Sequence, residues 1–209
     1  PSTRKYLTAK TEGQRVVEKD QLNAFLSEIS YPIYYFDYEA SQSLLPPWDG
    51  TRPYQQVPFQ YSLHILKEPD GELEHYEYLH RDLSNPILGV IESLQNDIGN
   101  EGSILVWYEA FEKTRNSEMA EMYPEAAAFL NSINDRIIDL MKPFSQDMVR
   151  DPEFMGSSSI KKVLPVLVPD LSYEKLDIQE GVAAALKWKM VTLGEATEAE
   201  RTKVHADLI

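Results

Sequence analysis

The stretch Pro32-Ile33-Tyr34-Tyr35-Phe36-Asp37-Tyr38-Glu39 decides how the chain is read. Its aromatic and β-branched residues predict a buried strand over Pro32 to Tyr38. A loop rich in turn residues follows, Ser41 to Tyr54, with Pro46, Pro47, Asp49-Gly50 and Pro53. Val57 to Leu66 reads as a second strand. Glu68-Pro69-Asp70-Gly71-Glu72 is a hairpin turn into a third, Leu73 to Leu79. Upstream, Leu22, Phe25, Leu26 and Ile29 recur at helical spacing, and residues 1–19 read as a polar arm.

Downstream the pattern changes. Ser84-Asn85-Pro86 is a cap with proline in the first turn, opening a helix through about Ile98. Ser103 to Tyr108 (SILVWY) is a short apolar strand of the kind covered on both faces. Helical patterns run from about Ala110 to Ala120 and from Pro124 to Ile133, and Ile137-Ile138-Asp139-Leu140 ends another apolar patch. A Ser157-Ser158-Ser159 cap leads into a helix through Leu167, and the remainder, Ser172 to Leu193 and Glu195 to Ile209, reads as helical. Strands first and helices interleaved later define an α/β domain with a mixed sheet.

Composition narrows the function classes. With 209 residues, 43% of them hydrophobic and 11% aromatic, the chain can bury a sizeable core. No apolar run approaches the roughly 18 residues a membrane-spanning helix needs. The absence of cysteine excludes a disulfide scaffold, a zinc finger and thiol catalysis, and suits a reducing cytoplasm. A net charge of −14 argues against coating nucleic acid by bulk charge. It is compatible with a nuclease, whose metal-binding carboxylates add to the acidic count. Pro1 in place of Met suggests a processed product or a piece of something longer.

The sharpest chemical feature is Asp37-Tyr38-Glu39. Positions i and i+2 of a strand share a side, and two like charges on a half-buried strand are costly unless something positive lies between them. Mg²⁺ or Mn²⁺ would serve, because hard oxygen ligands suit both; the bland alternative is the start of a solvated loop. Glu112, one turn into the helix after SILVWY, could reach back to the strand end; alone, it would be an exposed helix acid. Third is Gly156-Ser157-Ser158-Ser159-Ile160-Lys161-Lys162-Val163-Leu164-Pro165, whose helix start and lysines would suit a phosphate; taken alone, it reads first as a solvated helix face. Ser157 to Met190 carries five lysines against four acids, a basic island in an acidic chain. The four histidines show no metal-ligand spacing.

These features together resemble the ribonuclease H-like architecture, and more narrowly the DnaQ-type DEDD 3′–5′ exonucleases. They are most similar to a bacterial domain-of-unknown-function family of that superfamily. Tyr35 to Glu39, Gly50-Thr51-Arg52-Pro53-Tyr54-Gln55-Gln56-Val57-Pro58-Phe59-Gln60 and the Gly156 to Pro165 string carry the resemblance, which covers about residue 32 to the C-terminus. It implies three antiparallel opening strands, then parallel ones, flanked by helices, with residues 1–30 an N-terminal arm and helix and 31–209 the exonuclease-like domain. It also implies catalytic, metal-holding roles for Asp37, Glu39 and Glu112, although an Asp is usual at the position of Glu112 and an Asn at that of Glu109. Asp139 matches an acid usually peripheral to the metals. The fourth acid of the family would lie past Ile209, so a C-terminally truncated domain of weak or no activity is expected.

The implied chemistry is two-metal phosphodiester hydrolysis with ions roughly 4 Å apart. Asp37 would bridge them, Ser159, Lys161, Lys162 and Arg52 would hold phosphates, and Tyr54 or Trp48 would stack a base of a single strand. The family often joins this domain to a Cas4-like nuclease module in one chain. Three readings follow: a metal-dependent nuclease acting on DNA or RNA, a binding module that has kept the fold and lost the chemistry, and an interaction domain with no nucleic-acid role. The third leaves the acidic constellation unexplained.

Overall fold

The computed structural model describes residues 13–171, 181–194 and 196–208. Most of the expected N-terminal arm and the first part of the expected Ser172 to Leu193 helix lie outside them. In chain order the elements are β1 (Val16–Val17), α1 (Lys19–Leu26), β2 (Ile33–Ser41), β3 (Val57–Leu66), β4 (Leu73–Leu79), α2 (Pro86–Asp97), β5 (Ser103–Val106), α3 (Glu109–Met122), a 3₁₀ turn (Pro124–Ala126), α4 (Ala127–Arg136) and β6 (Ile137–Asp139). Then come α5 (Lys142–Ser145), β7 (Val149–Arg150), a 3₁₀ turn (Pro152–Phe154), α6 (Ile160–Leu167), α7 (Gly181–Thr192) and α8 (Glu198–Asp207). Val16–Val17, inside the segment read as an arm, pairs antiparallel with β7.

Five strands form one mixed sheet in the order β4-β3-β2-β5-β6. The β2–β3 and β3–β4 pairs are antiparallel, and β5 and β6 join as parallel strands. The Glu68 to Glu72 turn closes as expected, with Asp70 left-handed and the Gly71 amide donating to the Glu68 carbonyl at 3.1 Å. Gly102 (φ +85°) lets β5 start against β2: a Cβ there would meet the Pro32 carbonyl oxygen at 1.9 Å.

Alternation splits β2. Tyr34, Phe36 and Tyr38 enter the main core with Tyr61, Leu63 and Ile65 of β3, Ile104 and Val106 of β5, and the apolar stripes of α2 (Ile87, Val90, Ile91, Leu94) and α4 (Leu130, Ile133). Each such side chain contributes about 1.5–3 kcal/mol by leaving water. Asn85 caps α2, its side chain accepting from the Ile87 amide, with Pro86 in the first turn. The sequence suggested a buried β2, but only one face is buried: Tyr35 is 38% exposed and Asp37 reaches the surface. SILVWY also divides. Ser103 to Val106 are strand and fully buried, whereas Tyr108 is left-handed (φ 82°) and begins the turn into α3. The Ile137 patch proves to be the edge strand β6, too short for a period-two signal to be read.

On the opposite face, α7 packs beside the β2–β3 end. Trp188 stacks on Phe59 with ring centroids 4.3 Å apart, and its Nε1 donates to the His80 carbonyl at 2.7 Å. Val163 of α6 belongs to a smaller cluster with Phe154 and Val149, joined by the half-buried Trp107. Between these helices, part of the sheet face around Asp37 stays open.

Candidate functional site: an acidic cluster on the open sheet face

Asp37 and Glu39 leave β2 on that open face, opposite Ser62 and Gln60 of β3. The register shifts between Glu39 and Ala40, a bulge of the kind that re-aims side chains. Asp37 touches solvent at the surface but is crowded by protein. Burial pushes its carboxyl up to about 6, against a hydrogen bond from the Tyr38 amide. Glu39 rises to about 7, through burial and then the charge of Asp37, with Lys161 pulling the other way.

Glu112, in the first turn of α3, feels the charge of Asp37. It is 1% exposed, and its Oε2 has no hydrogen-bond partner among the described residues. Burial, reinforced by the charges of Asp37 and Asp139, pushes it to about 8, outweighing its own amide and Arg115. A helix N-terminus alone would favour the ionised acid; here desolvation wins, and at neutral pH Glu112 holds its proton.

Local structure explains why Glu112 sits there. Asp139, buried at the end of β6, accepts at Oδ1 from the amides of Tyr108 and Met141, both at 2.9 Å. That fixes the turn by which α3 leaves β5. The Tyr38 hydroxyl, on the core side of β2, donates to Asn116 Oδ1 at 2.9 Å, and Asn116 donates on to Asn134 at 2.8 Å. This chain locks α3 to β2 and α4 one turn past Glu112. Arg115 lies over the Phe111 ring at 4.9 Å and donates to Gln56.

The other sequence-derived candidates divide. Lys161 acts on Glu39, and the Trp107 Nε1 donates to the Ser158 carbonyl at 3.1 Å, so the start of α6 is held beside the end of β5. Ser159 is the N-cap residue of α6, but its side chain makes no capping bond; instead its amide donates to Ser157 Oγ at 3.1 Å. Lys162 is exposed on α6. Arg52 is paired with Glu118 of α3 in an exposed ion pair, a type worth little. Tyr54 stands 62% exposed at a left-handed position. Trp48 is committed elsewhere, donating to the Leu83 carbonyl at 3.0 Å and lying 6.3 Å from Trp188. Glu109 adds no free charge to the cluster. Burial opposes its ionisation, but hydrogen bonds from Lys113 (2.8 Å) and Lys142 (2.7 Å) prevail and hold it below its ordinary value.

Two cavities flank the acids. One of about 380 Å³ is lined by Asp37, Tyr35, Ser62, His64, Trp107 and Ile160, among others; another of about 350 Å³ is lined by Glu39, Gln56, Phe111, Leu186 and Lys189, among others. His64 stacks on His75 at 4.2 Å, and the spacing of the histidines gives no hint of its place beside Asp37. The signal lies in the hairpin register, which sets Ser62 against Asp37 and His64 two residues along the same face. Among the described residues, no group of three or more His, Cys, Asp or Glu side chains is placed so as to hold a metal ion, and no helix is long and apolar enough to cross a membrane.

The profile of a family described as a domain of unknown function (DUF2779) matches residues 34–159, and the chain belongs to that family. The match begins at β2 and ends at Ser159, so it takes in every acid of the cluster. Relatives described as uncharacterized proteins occur in Ureaplasma parvum (27% identical over 175 residues, 73% of this chain and 25% of the relative), Mycoplasma pneumoniae (27%, with 72% and 25% covered) and Mycoplasma genitalium (29%, with 72% and 25% covered). The chain thus spans about a quarter of the length of the curated relatives it matches. No solved structure matches it.

Proposed function

We propose that this domain is a divalent-metal-dependent phosphodiesterase of the ribonuclease H-like, exonuclease kind, acting on a nucleic-acid strand. One observation carries the reading: buried Glu112 leaves Oε2 without a partner among the described residues and feels the charge of Asp37, which in turn raises Glu39 on the same strand. A buried carboxyl that leaves one oxygen unsatisfied and sits among like charges is costly to keep. The strand order β4-β3-β2-β5-β6 agrees with the architecture the resemblance implies.

Asp37, Glu39 and Glu112 supply only hard oxygen donors, which fit Mg²⁺ or Mn²⁺, and the orphaned Oε2 fits a ligand role. These three are not placed around one ion as they stand and would hold a metal only once their side chains turn toward it. When bound, such ions polarise a phosphoryl oxygen and lower the pKa of water. The chain's own residues do the rest. Glu39 and Glu112 would have to give up protons to serve as ligands. Lys161 faces phosphate charge beside Glu39. Trp107 anchors the α6 start, and the Tyr38–Asn116 bond keeps Glu112 in register.

The test is Mn²⁺-dependent shortening of end-labelled single-stranded DNA and RNA. Products are expected from the full-length protein with one of the two substrates, absent in EDTA and absent in Asp37→Asn. Mn²⁺ binding without cleavage of either strand would replace this reading with the binding module. Cleavage that persists in Asp37→Asn would remove the acids from the chemistry.

A further inference from the structure

A cleft of about 1010 Å³ lies away from the acids, between the segment after β4 and helix α8. Arg81, Ser84, Arg201 and His205 line it, with Asp82 and Glu198 as its acids. Two guanidinium groups and a histidine therefore meet on one surface of a chain whose net charge is −14.

Neither acid forms an ion pair with Arg81 or Arg201 among the described residues. Asp82 Oδ1 is taken up by the Ser84 amide at 2.8 Å and the Ser84 hydroxyl at 2.5 Å, and lies 3.1 Å from His80 Nε2. Arg201 is fixed in place, Nε donating to the Ala196 carbonyl at 3.3 Å and Nη2 to the Gly194 carbonyl at 3.1 Å. Those bonds orient the guanidinium without neutralising it, which lowers the entropic cost of receiving an anion. Arg81 makes no hydrogen bond or ion pair among the described residues, and it is exposed at the rim. His205, 6% exposed, forms the inner wall, with Nε2 3.4 Å from Thr192 Oγ1. Burial, then Arg81 and Arg201, push its pKa below the ordinary value, with Glu198 opposing.

We propose that this cleft is a phosphate-backbone site that holds a single nucleic-acid strand away from the acidic cluster, Arg81 and Arg201 being the phosphate ligands. The strand as ligand rests on the phosphodiesterase reading above. Position supports it. Glu39, Gln60 and Leu79 are successive cross-strand neighbours, so the rung bearing Glu39 reaches the β4 edge in about 10 Å, and the cleft begins at the next residues. A polyanion approaching a chain of this charge is repelled unless local cations hold it. The cleft supplies them at a reach a few nucleotides cover.

The test is binding of a short fluorescein-labelled single-stranded oligonucleotide in EDTA, read by anisotropy across a salt series, with inorganic phosphate as competitor. Arg81→Glu is expected to weaken binding roughly tenfold and to flatten the salt slope by about 0.7, with Arg201→Gln acting alike. Strand binding in EDTA and Mn²⁺-dependent cleavage are read separately: failure here leaves the metal chemistry untouched, and failure there leaves this site standing. Because Arg201 also supports loop carbonyls, Arg81→Glu, at the exposed rim, is the decisive variant. Affinity and slope unchanged in Arg81→Glu would overturn the proposal. An oligonucleotide that binds no more tightly than inorganic phosphate would overturn the strand as its ligand.

Discussion

Replacing Glu112 by Gln is expected to make the metal-free protein more stable, not less. The folded-state pKa of Glu112, about 8, lies above its ordinary 4.5. Between those values the folded chain binds more protons than the unfolded one, so stability falls as pH rises through that window and the penalty is complete above about 8. A carboxyl whose pKa stands one higher in the folded chain costs about 1.4 kcal/mol once it is ionised. Allowing for relaxation, removing the charge should add on the order of 3 kcal/mol at about pH 8.5. For a chain of this size that is a rise in melting temperature of roughly 6–12 °C, shrinking as the pH falls toward 4.5. Thermal unfolding of both proteins in EDTA across that pH range measures it. A melting temperature lowered at every pH would make Glu112 a structural acid rather than one kept for function at a cost.

Trp188→Ala should have the largest effect in the opposite direction. The indole is fully buried, stacked on Phe59 and bonded to the His80 carbonyl. Truncating such a side chain costs about 3–5 kcal/mol, and the carbonyl left behind adds to it. The loss is expected to be uneven. Amide exchange should rise in α7 and α8, whose cluster is small, before it rises in β5, all four of whose residues are buried. A loss under about 1 kcal/mol, or uniform exchange, would mean that α7 is not held to the sheet through this residue.

Much of the frame was legible in the chain. The three opening strands, the Asn85-Pro86 helix start and the α3 helix follow from local signals: alternation, a turn at Asp70-Gly71, a cap followed by proline. What local signals could not give was tertiary. Tyr34 to Tyr38 reads as uniformly buried because aromatic residues line both faces, yet only one face meets α2 to α4. Ile137 to Asp139 is too short to show a period. The candidate site divides in the same way. Asp37 and Glu39 share a side by alternation alone. The approach of Glu112 to Asp37 depends on the β5–α3 turn, which Asp139 fixes from a distant strand. The pairing of Glu109 with Lys142 and the meeting of Arg81 with Arg201 join residues far apart in sequence, and no spacing rule reaches them.

Whether the three acids form one cation site is tested most directly by calorimetric titration with Mn²⁺. The unmodified chain should bind saturably, more tightly as pH rises from about 6 to 8, because Glu39 at about 7 and Glu112 at about 8 must give up protons to become ligands. Asp37→Asn and Glu112→Gln should each abolish that binding. Binding that neither substitution disturbs would contradict a cation site shared by these acids.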